Sequence, residues 1–597
     1  MWQRARNEDV ESGLEMKCFR IFCFFCVSTL TCAALDREAF TFTKYDLEVR
    51  VEPEQQRLAV RGKITLRNDA AASQKNISLQ ISSSLDWRSI QLAGQPVQFV
   101  SQPFTSDIDH TGALSEAVVT LPKEIAHAQS LELEIGYEGT VPLDTSRLTR
   151  IGVPEETAKH SDWDQIEKTW AVVRGIGDVA WYPAATEAAN LSEGNKTFDT
   201  IARWKGREQA ADFRVNLCTV GEQSTQLERF MNAPALAEAS AGSGDAKVRE
   251  PSIDCGVFVF QPLGLTVPTL AIGNYEVLSR SGMTIRYLSG HKAAAENYAL
   301  AGEVSTPLLS EWFGSPKGTA QIVDIEDPQA SPFESGGALF TALATTNSMS
   351  YELAAVHQLT HVAFPSPRLW IYEGLAHFAQ ALTRESSAHG GQDGRKAALD
   401  FMASHRSSLG ESEKAIASEH APNSASDHSL INTGNEELYR SKSMYVWWML
   451  RDMLGDENIK KALAAYRPER DTEPAYMQHL LETQSKRDLE WFFDNWVYRD
   501  RGLPDFRIVS AYPRKLVGNG SMVTVTIENL GDAGAEVPVI LHLDGGEVIK
   551  RIEVRARAKT SIRIEAQSQA REVVVNDGSV PESDIDNNNF KIQTVSR

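Results

Sequence analysis

From Thr41 to about Leu278, apolar residues recur at every second position in short runs broken by turn residues, as in Tyr45-Asp46-Leu47-Glu48-Val49-Arg50-Val51 and Leu131-Glu132-Leu133-Glu134-Ile135. Successive strand residues point to opposite faces, so this alternation predicts half-buried strands and an all-β region. The Ala/Gly/Ser-rich stretch 234–244 reads as a loop within it. From about His291 the period becomes helical, over 293–308, 353–364, 369–382, 444–454, 459–466 and 489–496. A strand at 320–325 and a glycine-containing segment at 333–343 separate the first two of these helices. After Leu503-Pro504-Asp505 the alternation returns, as in Val523-Thr524-Val525-Thr526-Ile527, and predicts a small closing β-sandwich. The fold class is α+β multidomain, divided as 1–34, 35–288, 289–502 and 503–597.

Composition narrows the partners. A chain of 597 residues with 42% hydrophobic content exceeds what one core can hold, hence several domains. A formal net charge of −20 argues against nucleic acid or an anionic membrane surface, since both demand a basic face. Near the start, Lys17 and Arg20 precede the apolar run 21–30, which ends in Cys32-Ala33-Ala34, the form of a secretory signal peptide. Its charge-free stretch of 15 residues (21–35) is short of the roughly 20 a membrane-spanning helix needs, so an exported protein, periplasmic or extracellular, with no stable membrane span after cleavage is expected. Met16 is the expected true start, and Thr29 argues against lipid attachment at Cys32. Four of the six cysteines leave with that segment; Cys218 and Cys255 remain, either as a disulfide or as two buried thiols. The polar tail Asp584-Ile585-Asp586-Asn587-Asn588-Asn589 reads as a solvated turn rather than a calcium loop.

The chemistry concentrates in His357-Gln358-Leu359-Thr360-His361, with Glu373 twelve residues further on in Tyr372-Glu373-Gly374. Histidines at i and i+4 share one helical face and suit zinc, and in the HExxH pattern the intervening glutamate is the proton acceptor for hydrolysis. Here that position is Gln358, whose amide hydrogen-bonds but takes no proton at working pH. Thirteen histidines make an HxxxH pair by itself weak evidence for a metal, and two core histidines with an exposed glutamate are the competing reading. The surroundings favour the metal: Ser350 can cap the histidine helix, Pro365 ends it, and Ser366-Pro367 can launch a second helix carrying Glu373. Three ligands from His357, His361 and Glu373 leave zinc an open fourth position, the catalytic arrangement. His377, on the face of Glu373, is read as packing rather than orienting a ligand. Glu352 lies about 140° around the helix from His357 and points away from the metal.

Several segments agree in order with one family. Trp181-Tyr182-Pro183 with Phe198-Asp199, then Ala271-Ile272-Gly273-Asn274-Tyr275-Glu276, Trp312-Phe313-Gly314, the paired-histidine run with its glutamate, 439–455, and Trp491-Phe492-Phe493-Asp494-Asn495-Trp496 resemble the membrane alanyl aminopeptidase family of gluzincin zinc metallopeptidases. The resemblance covers about residues 41–510. It implies an N-terminal β-saddle, a thermolysin-like, mostly α catalytic domain and a C-terminal β-sandwich, one Zn2+ held by His357, His361 and Glu373, and a peptide or protein ligand. Tyr439 is carried over loosely as oxyanion stabiliser, because counting back from Lys442 puts Arg440 in the family's tyrosine register. Three departures bear on activity: Gln358 at the general-base position, a shorter spacer from His361 to Glu373, and Glu334-Ser335-Gly336-Gly337-Ala338-Leu339 where the family has an amine-binding GxMEN run. Glu334, Gly336 and Gly337 are the candidate substrate-binding residues, and Glu334 the best replacement base. The expectation is an exported, aminopeptidase-like zinc-binding protein with impaired peptide hydrolysis. The alternatives are an active zinc aminopeptidase using another base, and a non-catalytic peptide-binding or structural protein.

Overall fold

The computed structural model describes residues 35–221, 226–233, 253–343, 348–388, 390–419, 429–499, 501–516 and 520–592. The leader, the signal segment with Cys32, and the 234–244 loop lie outside the described residues. Residues from Arg37 onward form one compact unit. No helix among the described residues is long and apolar enough to cross a membrane.

The alternating N-terminal runs fold as strands. Phe40–Glu52 pairs antiparallel with Arg57–Asn68 and parallel with Asp212–Val220, at the centre of a seven-stranded sheet. A three-stranded sheet of Gln74–Ser82, Ala113–Ile125 and Gln98–Thr105 shares its apolar core, to which Leu47 and Val49 on one side and Ile77 and Leu79 on the other belong. Cys218 and Cys255 stand opposite one another in the pairing of Asp212–Val220 with Ile253–Phe260 and are joined as a disulfide. One helix, Lys196–Glu208, breaks the β region. Its apolar side chains are few, so the period that reveals it (Phe198, Ile201, Trp204) is faint in sequence.

The central sheet runs in the order Tyr275–Arg280, Met283–Leu288, Ala320–Asp324, Ala338–Thr341, Phe333–Ser335. Its first two strands precede position 289 yet hydrogen-bond into the sheet that carries Glu334. Buried Asp324 ties this sheet to the start of the helical region, accepting from the backbone N–H groups of Leu288 (3.0 Å) and Leu343 (2.9 Å) and facing His291 at 2.6 Å. The helix Lys292–Phe313 passes through Pro307 and packs beside Ser348–Ala363, the helix of the paired histidines; Leu369–Ser387 carries Glu373. Ser350 falls in the first turn of the histidine helix rather than before it. Ser366 Oγ accepts the Arg368 N–H at 3.1 Å just ahead of the glutamate helix. Two helices that the apolar pattern does not disclose are Gly391–Glu419 and Tyr476–Ser485. Ser443–Leu454 packs its Trp447 against Trp370 with ring centroids 5.4 Å apart.

The closing segment forms a three-stranded and a four-stranded antiparallel sheet, whose inward residues Val523, Val525, Val539, Leu541 and Val573 are buried. The acidic tail is a turn tied inward, with Asn588 and Asn576 both donating to Glu582. Burial lifts the Glu582 carboxyl to about 7.

Candidate metal centre

The histidine helix buries Ala355, Val356, Leu359 and Ala363 against its neighbours, which fixes its rotation and turns His357 and His361 towards the central sheet's edge. Glu373 enters from the adjoining helix. The next residue, Gly374, lets that helix lie close to Ser443–Leu454: a Cβ there would sit 2.7 Å from that of Ser443. The fourth group comes from the edge strand Phe333–Ser335. Gly336 and Gly337, both with positive φ (62° and 77°), make the two-residue turn that folds this strand back on Ala338–Thr341. The expected substrate-binding glycines thus serve as the hinge of the hairpin that presents Glu334.

Glu334, His357, His361 and Glu373 each place a ligand atom within 4.8 Å of the others. Glu334 Oε2 is 3.0 Å from His357 Nε2, and Glu334 Oε1 is 2.9 Å from His361 Nε2. Glu373 spans the same two nitrogens at 3.6 and 3.7 Å, and the nitrogens themselves are 3.0 Å apart. Zinc bonded at about 2.0–2.1 Å to nitrogen or oxygen in a tetrahedron separates its ligands by about 3.4 Å. The observed separations bracket that value. Among the described residues, buried Glu334 Oε1 has no aligned hydrogen-bond partner despite its 2.9 Å approach to His361. A short distance with poor alignment is what donors converging on a common point give, rather than donors bonding to one another. The residues therefore fit the metal. They also change the expected donor set: Glu334 joins His357, His361 and Glu373 as a fourth candidate donor where three were expected.

Burial alone would raise the Glu334 carboxyl, but His357 and His361 hold it well below the usual range. Burial lowers His357, and Glu334 more than reverses this, leaving it raised. Tyr372 stacks on the His361 ring at 3.6 Å. His377 sets its ring edge against His357 at 4.9 Å with both nitrogens unpartnered, and burial, then the charge of His357, pushes it well below 6.5. Among the described residues it packs on His357 and hydrogen-bonds to no member of the cluster.

Gln358 is 1% exposed and its Oε1 has no hydrogen-bond partner among the described residues. Glu352 lies elsewhere, accepting from Ser387 at 3.4 Å. Around Glu437–Lys442 the backbone makes a wide π turn. Within it Arg440 reaches the site, its Nε donating to Glu373 Oε2 at 3.3 Å and its Nη1 to Glu436 at 3.1 Å. Tyr439 is buried in the wall of the adjoining cleft. Among the described residues, Arg440 is thus a cation in contact with the cluster, whereas the sequence identifies it only as the residue standing in the expected tyrosine register.

No protein-family model and no curated protein matches this chain. A solved structure, a mutant M1 zinc metallopeptidase from Deinococcus radiodurans bound to a Tyr-Ser-Ala substrate, is similar with a TM-score of 0.45 and 15% identity. The match covers 77% of this chain and 94% of that one.

Proposed function

We propose that this protein is an exported, aminopeptidase-like zinc-binding protein that holds peptide ligands and hydrolyses them poorly or not at all. The observation that carries the reading is the position of Glu334, 2.9–3.0 Å from both histidine nitrogens, combined with an amide at Gln358. His357, His361 and Glu373 would hold the ion, and zinc when bound supplies Lewis acidity. Glu334 adds a fourth protein donor, which makes a closed centre of the structural kind rather than one with an open position. Gln358 hydrogen-bonds without accepting a proton. Arg440 keeps the Glu373 carboxylate turned to the histidines.

A second reading keeps catalysis and makes Glu334 the proton acceptor, since it is the further carboxylate within reach of both histidines. Amino-acid anilide hydrolysis by Glu334→Gln separates the two. If Glu334 closes the centre, the wild type is nearly inert and the variant no slower. If Glu334 is the base, a measurable wild-type rate falls by roughly 10² to 10⁴ in the variant.

A further inference from the structure

Beside the metal centre lies a cleft of about 750 Å³ between the N-terminal β region and the helices. Phe333, next to Glu334, lines it, as do Tyr439 and Glu436, which flank Arg440. The opposite wall is one face of the helix Lys196–Glu208: Phe198, Ile201, Ala202 and Lys205 follow helical spacing into the cleft. Phe198 is 46% exposed there, an apolar surface without a cover in the fold.

Among the described residues, the charges that line this cleft are paired, with one exception. Arg147 holds Asp162 (2.6 Å) and Asp178 (3.1 Å), Arg174 holds Asp164 (2.6 Å), and Arg368 holds Asp471 (2.6 Å). Glu436 is held by Arg440 at 3.1 Å. Lys205 is partly buried and, among the described residues, makes no ion pair or hydrogen bond. Burial lowers its pKa, the field of Glu436 opposing this. A half-buried ammonium that lines the cleft with no ion-pair or hydrogen-bond partner among the described residues is free to take a ligand anion, which it would hold by a charge-assisted hydrogen bond.

We propose that Lys205 is the anion-recognition residue of this cleft and binds a carboxylate of a peptide whose apolar side chain rests on Phe198. This rests on the peptide-binding reading above. The carboxylate comes from the peptide C-terminus or from an acidic side chain.

The test is the affinity of Ala-Ala-Phe, its C-terminal amide, and the amide of Ala-Asp-Phe, by calorimetry on the full chain with zinc and after chelation. The wild type should bind the free acid, the aspartyl amide or both about tenfold or more tightly than the neutral amide, with or without zinc. A gain by the free acid marks the C-terminus as the source of the carboxylate, and a gain by the aspartyl amide marks the side chain. Lys205→Met should abolish the acid preference while leaving the neutral amide's affinity and the melting temperature unchanged, and Lys205→Arg should restore it. The proposal is overturned if neither the free acid nor the aspartyl amide binds more tightly than the neutral amide in the wild type, if none of the peptides binds, if the preference survives in Lys205→Met, or if it disappears on chelation, which would place the carboxylate on the metal. Zinc content, measured on the same samples, judges the metal reading separately.

Discussion

At the scale of single residues, two side chains set the chemistry: Gln358, which replaces a base with an amide, and Glu334, which supplies a carboxylate where none was expected to bind metal. Reversing both should reopen the site. Gln358→Glu combined with Glu334→Ala is expected to hydrolyse amino-acid anilides at least 10²-fold faster than the wild type, the lower end of what a positioned general base contributes. Gln358→Glu alone should gain far less, because the fourth donor remains. Equal rates for the double variant and the wild type would contradict the proposed roles of Gln358 and Glu334. That His357, His361 and Glu373 would cluster was legible because helical spacing and a following carboxylate leave a local pattern. Glu334 was noticed for its place relative to an amine-binding run, but its role among the donors was not legible. It is 23 residues before His357, and only the folded hairpin brings it to 3.0 Å. Arg440 was half legible, as a register count against Tyr439, and the π turn that directs it has no sequence signature of its own.

At the scale of elements, the hairpin of Phe333–Ser335 and Ala338–Thr341 positions the fourth donor, and its turn tolerates little change. Gly336 sits at φ 62°, and a Cβ there would meet Thr266 Cγ2 at 2.6 Å and the Asn232 carbonyl oxygen at 3.1 Å. Gly336→Ala should therefore cost about 1 kcal/mol or more and displace Glu334. Thermal unfolding and zinc titration check this: a lower melting temperature and weaker zinc binding are expected together. An unchanged zinc affinity would mean that the hairpin does not hold a ligand. The long alternating strands and the histidine and glutamate helices were readable from period alone. Gly391–Glu419 was not, because its apolar positions are sparse along a polar helix that gains its order from packing on Leu369–Ser387. Lys196–Glu208 was hidden by its strand-rich neighbourhood, and with it the cleft wall that bears Lys205.

At the scale of the whole molecule, two buried carboxyls outside the metal centre tie stability to pH. Burial raises Glu208 from 4.5 to about 8, with Arg207 at 3.8 Å offsetting part of this, and raises Glu582 to about 7. Both carboxyls are protonated in the folded chain over a range where the unfolded chain has released the proton. Between about pH 4.5 and 7–8 the unfolded state binds fewer protons, so stability falls as pH rises, by about 1.4 kcal/mol per pH unit for each group that titrates in full. Denaturant melts at pH 5.5 and 7.5 should show the lower midpoint at 7.5, and Glu208→Gln should flatten the dependence. A midpoint that rises with pH would contradict the burial assigned to these groups. The order of a β-rich first part, a helical middle and a β-rich close was readable along the chain. The way Tyr275–Leu288 joins the central sheet was not, since strand pairing across 289 follows from topology rather than from local period. The central claim is that Glu334, His357, His361 and Glu373 together bind one zinc ion. Elemental analysis of the purified chain and of a folded His361→Ala variant tests it most directly. The account predicts about one zinc per chain in the wild type and none retained in the variant. A wild type without stoichiometric metal, or a variant that keeps its zinc, would contradict it.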